Sequence, residues 1–124
     1  MWAGLIAAEF IMEAVCREGA MARAAAVVHF WFDLCLEIPL MVCVLVTGGV
    51  LFSRTWPPST LHWVKLALAV FAIACNVYCV GVVVRRRGRL EDPGELARGR
   101  LRVFASGVGV PFGLAALYLG LRYF

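Results

Sequence analysis

Charge is scarce in this chain. Aspartate, glutamate, lysine and arginine make up 16% of its 124 residues, where a soluble domain carries about 25%. The net charge of +4 comes from one short loop and gives no extended basic face, so a nucleic-acid partner is excluded. Histidine occurs only at positions 29 and 62. The five cysteines (16, 35, 43, 75 and 79) are odd in number and form no CxxC. All but Cys16 lie well inside apolar runs, so they read as small hydrophobes rather than a disulfide framework. A glycine-rich phosphate loop and a nucleophile elbow are both missing, and no Ser–His–Asp set has its acid at a workable depth. Hydrolase and nucleotide-enzyme classes therefore find no support.

What fills the chain is apolar. Hydrophobic residues account for 63%, and the mean hydropathy is +0.86, which predicts an integral membrane protein. The length allows one transmembrane domain, residues 1–124, built as an all-α bundle of four helices. The spans are expected at about 2–16, 24–52, 61–84 and 103–121. The first is weak. Fifteen residues reach about 22 Å as a helix, against roughly 30 Å of hydrocarbon, so it is a short span, a re-entrant segment or an interfacial helix. It carries Glu9 and Glu13 and lacks a basic flank, so it does not read as a cleaved signal peptide.

Between the third and fourth spans, residues 85–102 hold seven arginines. The positive-inside rule places this loop on the cytoplasmic side, as in a bacterial inner membrane. Both termini then face outside, and Trp2, Trp56, Trp63 and Tyr123 gather at the outer interface, where amphipathic rings are favoured. Asp92-Pro93-Gly94-Glu95 reads as a helix start inside the loop, with an N-cap acid followed by proline at the first helical position. Ala105, Gly109 and Gly113, each four residues apart, predict close helix packing along the last span.

The acids carry the functional content. Glu9, Glu13, Asp33 and Glu37 lie within otherwise apolar stretches, where a carboxylate costs at least a few kcal/mol and marks an ion, proton or ligand path. Lys65 is the only basic residue inside the spans, so the acids are expected to lack protein counter-charges. His29, Asp33 and Glu37 follow one helical stripe, since four residues advance the azimuth by only about 40°. Counting depth from Arg17 and Arg23, at about 1.5 Å per residue, puts Glu9 and Glu13 opposite His29 and Asp33. Asn76 reaches the same layer when counted from Arg85. His62 lies about 25–30 Å away along the membrane normal, so the two histidines do not share one metal or haem within a subunit.

From Glu37 onward, Ile38-Pro39-Leu40-Met41, Thr47-Gly48-Gly49, Leu61-His62-Trp63-Val64-Lys65-Leu66 and Asn76-Val77-Tyr78-Cys79 resemble a four-helix membrane superfamily. That superfamily contains the HemJ-type protoporphyrinogen oxidases and the CopD-like copper-associated proteins. The resemblance covers about residues 37–84. It implies haem b as a cofactor, with His62 and Lys65 in cofactor-binding positions. Asn76 stands where the family has a histidine, and Val110 precedes Pro111 where the family has an acid.

Three functions follow as expectations. The first is a cation-binding membrane protein, holding a divalent metal or protons at His29, Asp33, Glu37, Glu9 and Glu13 for metal handling or proton-coupled transport. Carboxylates with one imidazole suit iron, manganese or zinc. The second is the haem-linked redox protein that the resemblance implies. The third is an accessory subunit whose acids meet a partner helix. The expected surroundings are the lipid bilayer and a second membrane subunit, either another copy or a partner.

Overall fold

A computed structural model describes residues 2–123, with side chains described from residue 5 onward. Trp2, assigned to the outer aromatic belt, thus has its side chain outside the described residues. Every regular element among them is helical: α1 (Trp2–Val15), α2 (Gly19–Phe32), α3 (Ile38–Arg54), α4 (Thr60–Arg87), α5 (Pro93–Ser106) and α6 (Gly109–Tyr123). A π-helical turn, Asp33–Glu37, joins α2 to α3. Three rods, Gly19–Arg54, Thr60–Arg87 and Pro93–Tyr123, are long and apolar enough to cross a membrane. The 14 residues of α1 fall short of that length.

The π turn has a cause in the sequence. Pro39 offers no amide hydrogen, and its ring crowds the carbonyl four residues earlier, that of Cys35. The turn before it widens, and the Ile38 amide donates five residues back, to the Asp33 carbonyl. Such turns are rare and occur mostly as single bulges within α-helices.

The rod α4 forms the centre. It packs against α5 and α6 on one side and α2 on the other, while α1 lies on α2. Apolar burial is thin, with one patch at Ala22, Ala26 and Leu96 and another at Val82, Val83 and Val103. Large apolar side chains such as Val46, Leu51, Val70 and Leu117 point outward. In a membrane, hydrocarbon would give helices no hydrophobic reason to associate, and small residues and polar contacts would hold such a bundle. None of the α3 side chains is buried; apart from its junction with α2, its C-terminal end meets α4 through Phe52 against Trp63, with ring centroids 5.7 Å apart.

Two boundaries differ from the sequence reading. Only residues 88–92 of the arginine-rich stretch are irregular, because α4 runs on through Arg87 and α5 starts at Pro93. The start of α5 is capped by Asp92 Oδ1, which accepts from the amides of Gly94 at 2.9 Å and Glu95 at 3.3 Å. The small-residue stripe is also broken, since a turn at Gly107-Val108 separates α5 from α6 and leaves Ala105 exposed. Gly109 keeps the predicted role against α4. A Cβ there would stand 2.5 Å from Cys75 Cβ. Gly109→Ala is expected to cost about 1–3 kcal/mol through overpacking. Gly48→Ala, in open space, should be close to neutral; unfolding of the two variants in mixed micelles checks the difference.

Candidate functional site

α1 is turned with its acids inward. Ile6, Glu9 and Glu13 are buried while Ile11 and Val15 are exposed. Glu9 is 6% exposed and Glu13 1%, so the surface-lying alternative, with these acids in water, does not occur. On the facing rod, His29, Asp33 and Glu37 are buried. In an α-helix, four residues overshoot a full turn by about 40°; in the wider π turn, four residues fall short of one. The winding between His29 and Asp33 is thereby reversed between Asp33 and Glu37. The bulge keeps all three on one inward face.

The second finding is a counter-charge. Arg86, grouped by sequence with the cytoplasmic arginines, is buried in the last turn of α4. Its Nη1 donates to Glu13 Oε1 at 2.6 Å and its Nη2 to Glu13 Oε2 at 3.1 Å. Such a two-pronged guanidinium–carboxylate pair fixes geometry as well as charge. The expectation that the acids lack protein counter-charges is therefore corrected for Glu13. Gly99 makes the contact with α5 possible, because a Cβ there would collide with Arg86 Cγ and Cδ. Arginine at one of seven similar positions gave no signal in the sequence; the facing glycine identifies it only once α5 is folded back.

His29 is then oriented from behind. Its Nδ1 lies 2.9 Å from Glu13 Oε1. Glu13, ionised and held by Arg86, is an acceptor only, so in the neutral imidazole Nδ1 carries the proton and the lone pair sits on Nε2. That nitrogen is 3.5 Å from Asp33 Oδ1 and 3.7 Å from Glu9 Oε2. On the far side of the layer, Asn76 Nδ2 donates to Glu37 Oε1. Both oxygens of Glu13 are occupied, whereas Glu9 Oε1, His29 Nε2 and both oxygens of Asp33 are buried without a hydrogen-bond partner.

Two sets of potential ligands converge here. Glu9, Asp33 and Glu37 each bring a carboxylate oxygen within 4.8 Å of the others, and so do the ligand atoms of His29, Asp33 and Cys79. A cavity of about 30 Å³ borders the layer, lined in part by Glu9, His29, Glu37, Cys75, Asn76 and Cys79. A water needs at least about 10–15 Å³ of such space, so a small hydrated species fits and a large planar cofactor does not. Cys79 also packs against the Val82–Val83–Val103 patch.

The residues marked by the family resemblance do not all meet. His62 stands in the first turn of α4, where Nδ1 lies 2.8 Å from Ser59 Oγ and accepts from the Ser59 amide at 3.3 Å. Its role there is a helix cap. Lys65 is one turn on, with Nζ beside Gly120 of α6. Asn76, in the polar layer, is about 21 Å further along the helix than His62.

The chain is thus a helical-bundle protein with three rods able to cross a membrane and a polar layer at one level of the bundle. Comparison with protein families, curated proteins and solved structures gives no match.

Proposed function

We propose that this is an integral membrane protein that holds one divalent metal ion in its polar layer. Glu9, Asp33 and Glu37 supply carboxylate oxygens and His29 supplies Nε2. Glu13 serves differently from the other acids: it fixes the tautomer of His29, and Arg86 fixes Glu13. This is the arrangement by which a ligating imidazole is commonly oriented, with its second nitrogen bound to a carboxylate. Asn76 does the same for Glu37.

The observation that carries this reading is the set of orphaned ligand atoms. Buried polar groups are nearly always hydrogen-bonded, and leaving one unpaired costs about 1–3 kcal/mol, more when it is charged. Here Glu9, His29 and Asp33 carry four such atoms, and Asp33 is shared by two potential ligand sets, one with Glu9 and Glu37 and one with His29 and Cys79. Four acids face one arginine and one imidazole, so a positive species is also needed for charge balance. Ligand oxygens at about 2.0–2.2 Å from a tetrahedral zinc-like ion lie about 3.3–3.6 Å from one another. The ligand atoms here lie within 4.8 Å of one another, so ion binding would draw them together by up to about an ångström. Oxygen ligands with one imidazole favour iron, manganese or zinc. Metal handling, with the arginine-rich end in the cytoplasm, is the corresponding biological role.

Elemental analysis tests this directly. The detergent-purified chain, loaded in turn with Fe²⁺, Mn²⁺ and Zn²⁺ and dialysed against metal-free buffer, should retain about one equivalent of at least one of them. Retention no higher than in a metal-free control overturns the proposal. An absorbance spectrum of the same sample reads out haem, and a full-occupancy Soret band would put the haem reading in its place.

A further inference from the structure

A second polar cavity lies between the end of α4 and the start of α5. Its volume is about 280 Å³, and it is lined by Val82, Arg85, Arg86, Arg89, Glu95, Gly99 and Arg102. The lining has a simple origin in sequence. Positions 82, 85, 86 and 89 fall at i, i+3, i+4 and i+7, one stripe of α4 and its end. Positions 95, 99 and 102 make the corresponding stripe on α5. The tight connection at 88–92 folds one stripe onto the other.

The charge in this cavity is unbalanced. Glu95 is shared, with Oε2 3.4 Å from Arg89 Nη1 and Oε1 3.5 Å from Arg98 Nη1. Arg86 is committed through its two terminal nitrogens to Glu13. Arg85 and Arg102 have no acidic partner among the described residues. Arg86 Nε is buried without a hydrogen-bond partner and lies against Gly99 in the cavity wall. Guanidinium groups left in this state around a concave space match the planar, two-pronged recognition of phosphate oxygens. The space also exceeds what a phosphate group and a few waters require, at about 30 Å³ per water.

We infer that this cavity is a binding site for a phosphate group, held by Arg85 and Arg102 with Arg89 and Arg86 Nε completing the wall. The inference stands apart from the metal proposal, because it uses neither the acids nor His29. The phosphate group has two sources, a membrane lipid headgroup or a free phosphate from solution. At the end of a membrane-crossing rod, basic pockets between helices are known to take headgroups.

The test uses the full chain in detergent with two probes. Inorganic phosphate is titrated calorimetrically, and phosphatidylglycerol against phosphatidylcholine is scored by native mass spectrometry from mixed micelles. Arg85→Gln/Arg102→Gln should weaken binding of the true ligand by about tenfold or more, the loss expected for charge-assisted hydrogen bonds. Arg87→Gln/Arg100→Gln removes the same charge from residues that neither line the cavity nor pair with Glu95, and should leave binding within about twofold. Arg102→Gln alone carries the comparison if the double variant is not recovered. Phosphate binding that depends on Arg85 and Arg102 identifies a free-phosphate site. Retention of phosphatidylglycerol with that dependence, and no phosphate titration, identifies a headgroup site. Neither ligand binding, or equal weakening by both double variants, overturns the inference and leaves the arginines as topology determinants.

Discussion

Arg86→Gln should destabilise the protein by about 3–5 kcal/mol, the usual cost of removing one partner of a buried ion pair. Glu13 is 1% exposed and pairs with no other arginine or lysine among the described residues, so the variant leaves a buried carboxylate with only the His29 imidazole beside it. His29 would lose its fixed acceptor geometry as well. The decisive comparison is with Arg86→Gln/Glu13→Gln. Removing both charges avoids the stranded carboxylate, and the double variant should recover most of the loss. Reversible unfolding in mixed micelles, read by circular dichroism, measures each variant. A single variant as stable as the parent would show that the guanidinium contact contributes nothing to the fold.

Asp33→Asn should lower metal affinity by a hundredfold or more. The substitution keeps shape while removing one negative ligand at the point where the others meet. Loss of a mere supporting partner typically costs about 10–100-fold, the range expected for Asn76→Ala through Glu37. The two variants should also differ in metal-free stability. Asp33→Asn relieves excess negative charge in a buried layer, so the metal-free chain should be at least as stable as the parent. Asn76→Ala leaves Glu37 Oε1 without its donor and should be less stable by about 1–3 kcal/mol. Isothermal titration with Mn²⁺ or Zn²⁺, paired with metal-free unfolding, separates a ligand from a packing residue. If Asp33→Asn binds metal as tightly as the parent, Asp33 is not a ligand. Protons compete for the same carboxylates and imidazole, so affinity in the parent should fall as the pH is lowered.

Much of this layer could be read from residue spacing. The four-residue steps from His29 to Glu37, and the depth match with Glu9 and Glu13, place five polar groups together because helical rise and periodicity are nearly invariant. The all-helical, apolar character was equally plain in the composition. Two elements were not legible. Arg86 looks like its six arginine neighbours in the chain, and only the packing of Gly99 against its stem draws it inward. The π turn depends on how the strain at Pro39 is distributed over the preceding residues, which periodic counting at 3.6 per turn does not capture. In the proposed site Glu13 acts as a support for His29 rather than as a ligand, and the π turn keeps Glu37 on the inward face.

The stretch of α3 beyond the polar layer carries a further consequence. Beyond Glu37 its polar side chains are spent locally, with Thr47 Oγ1 donating to the Cys43 carbonyl at 2.7 Å and Ser53 Oγ to that of Val50 at 2.8 Å. On α4 the next charged group outward is Lys65, which repels a cation. Along these two helices, among the described residues, an ion held as proposed would meet no ladder of oxygens leading to the far side. That suits a holder of ions; passage across the membrane would need a route built with side chains from a second subunit.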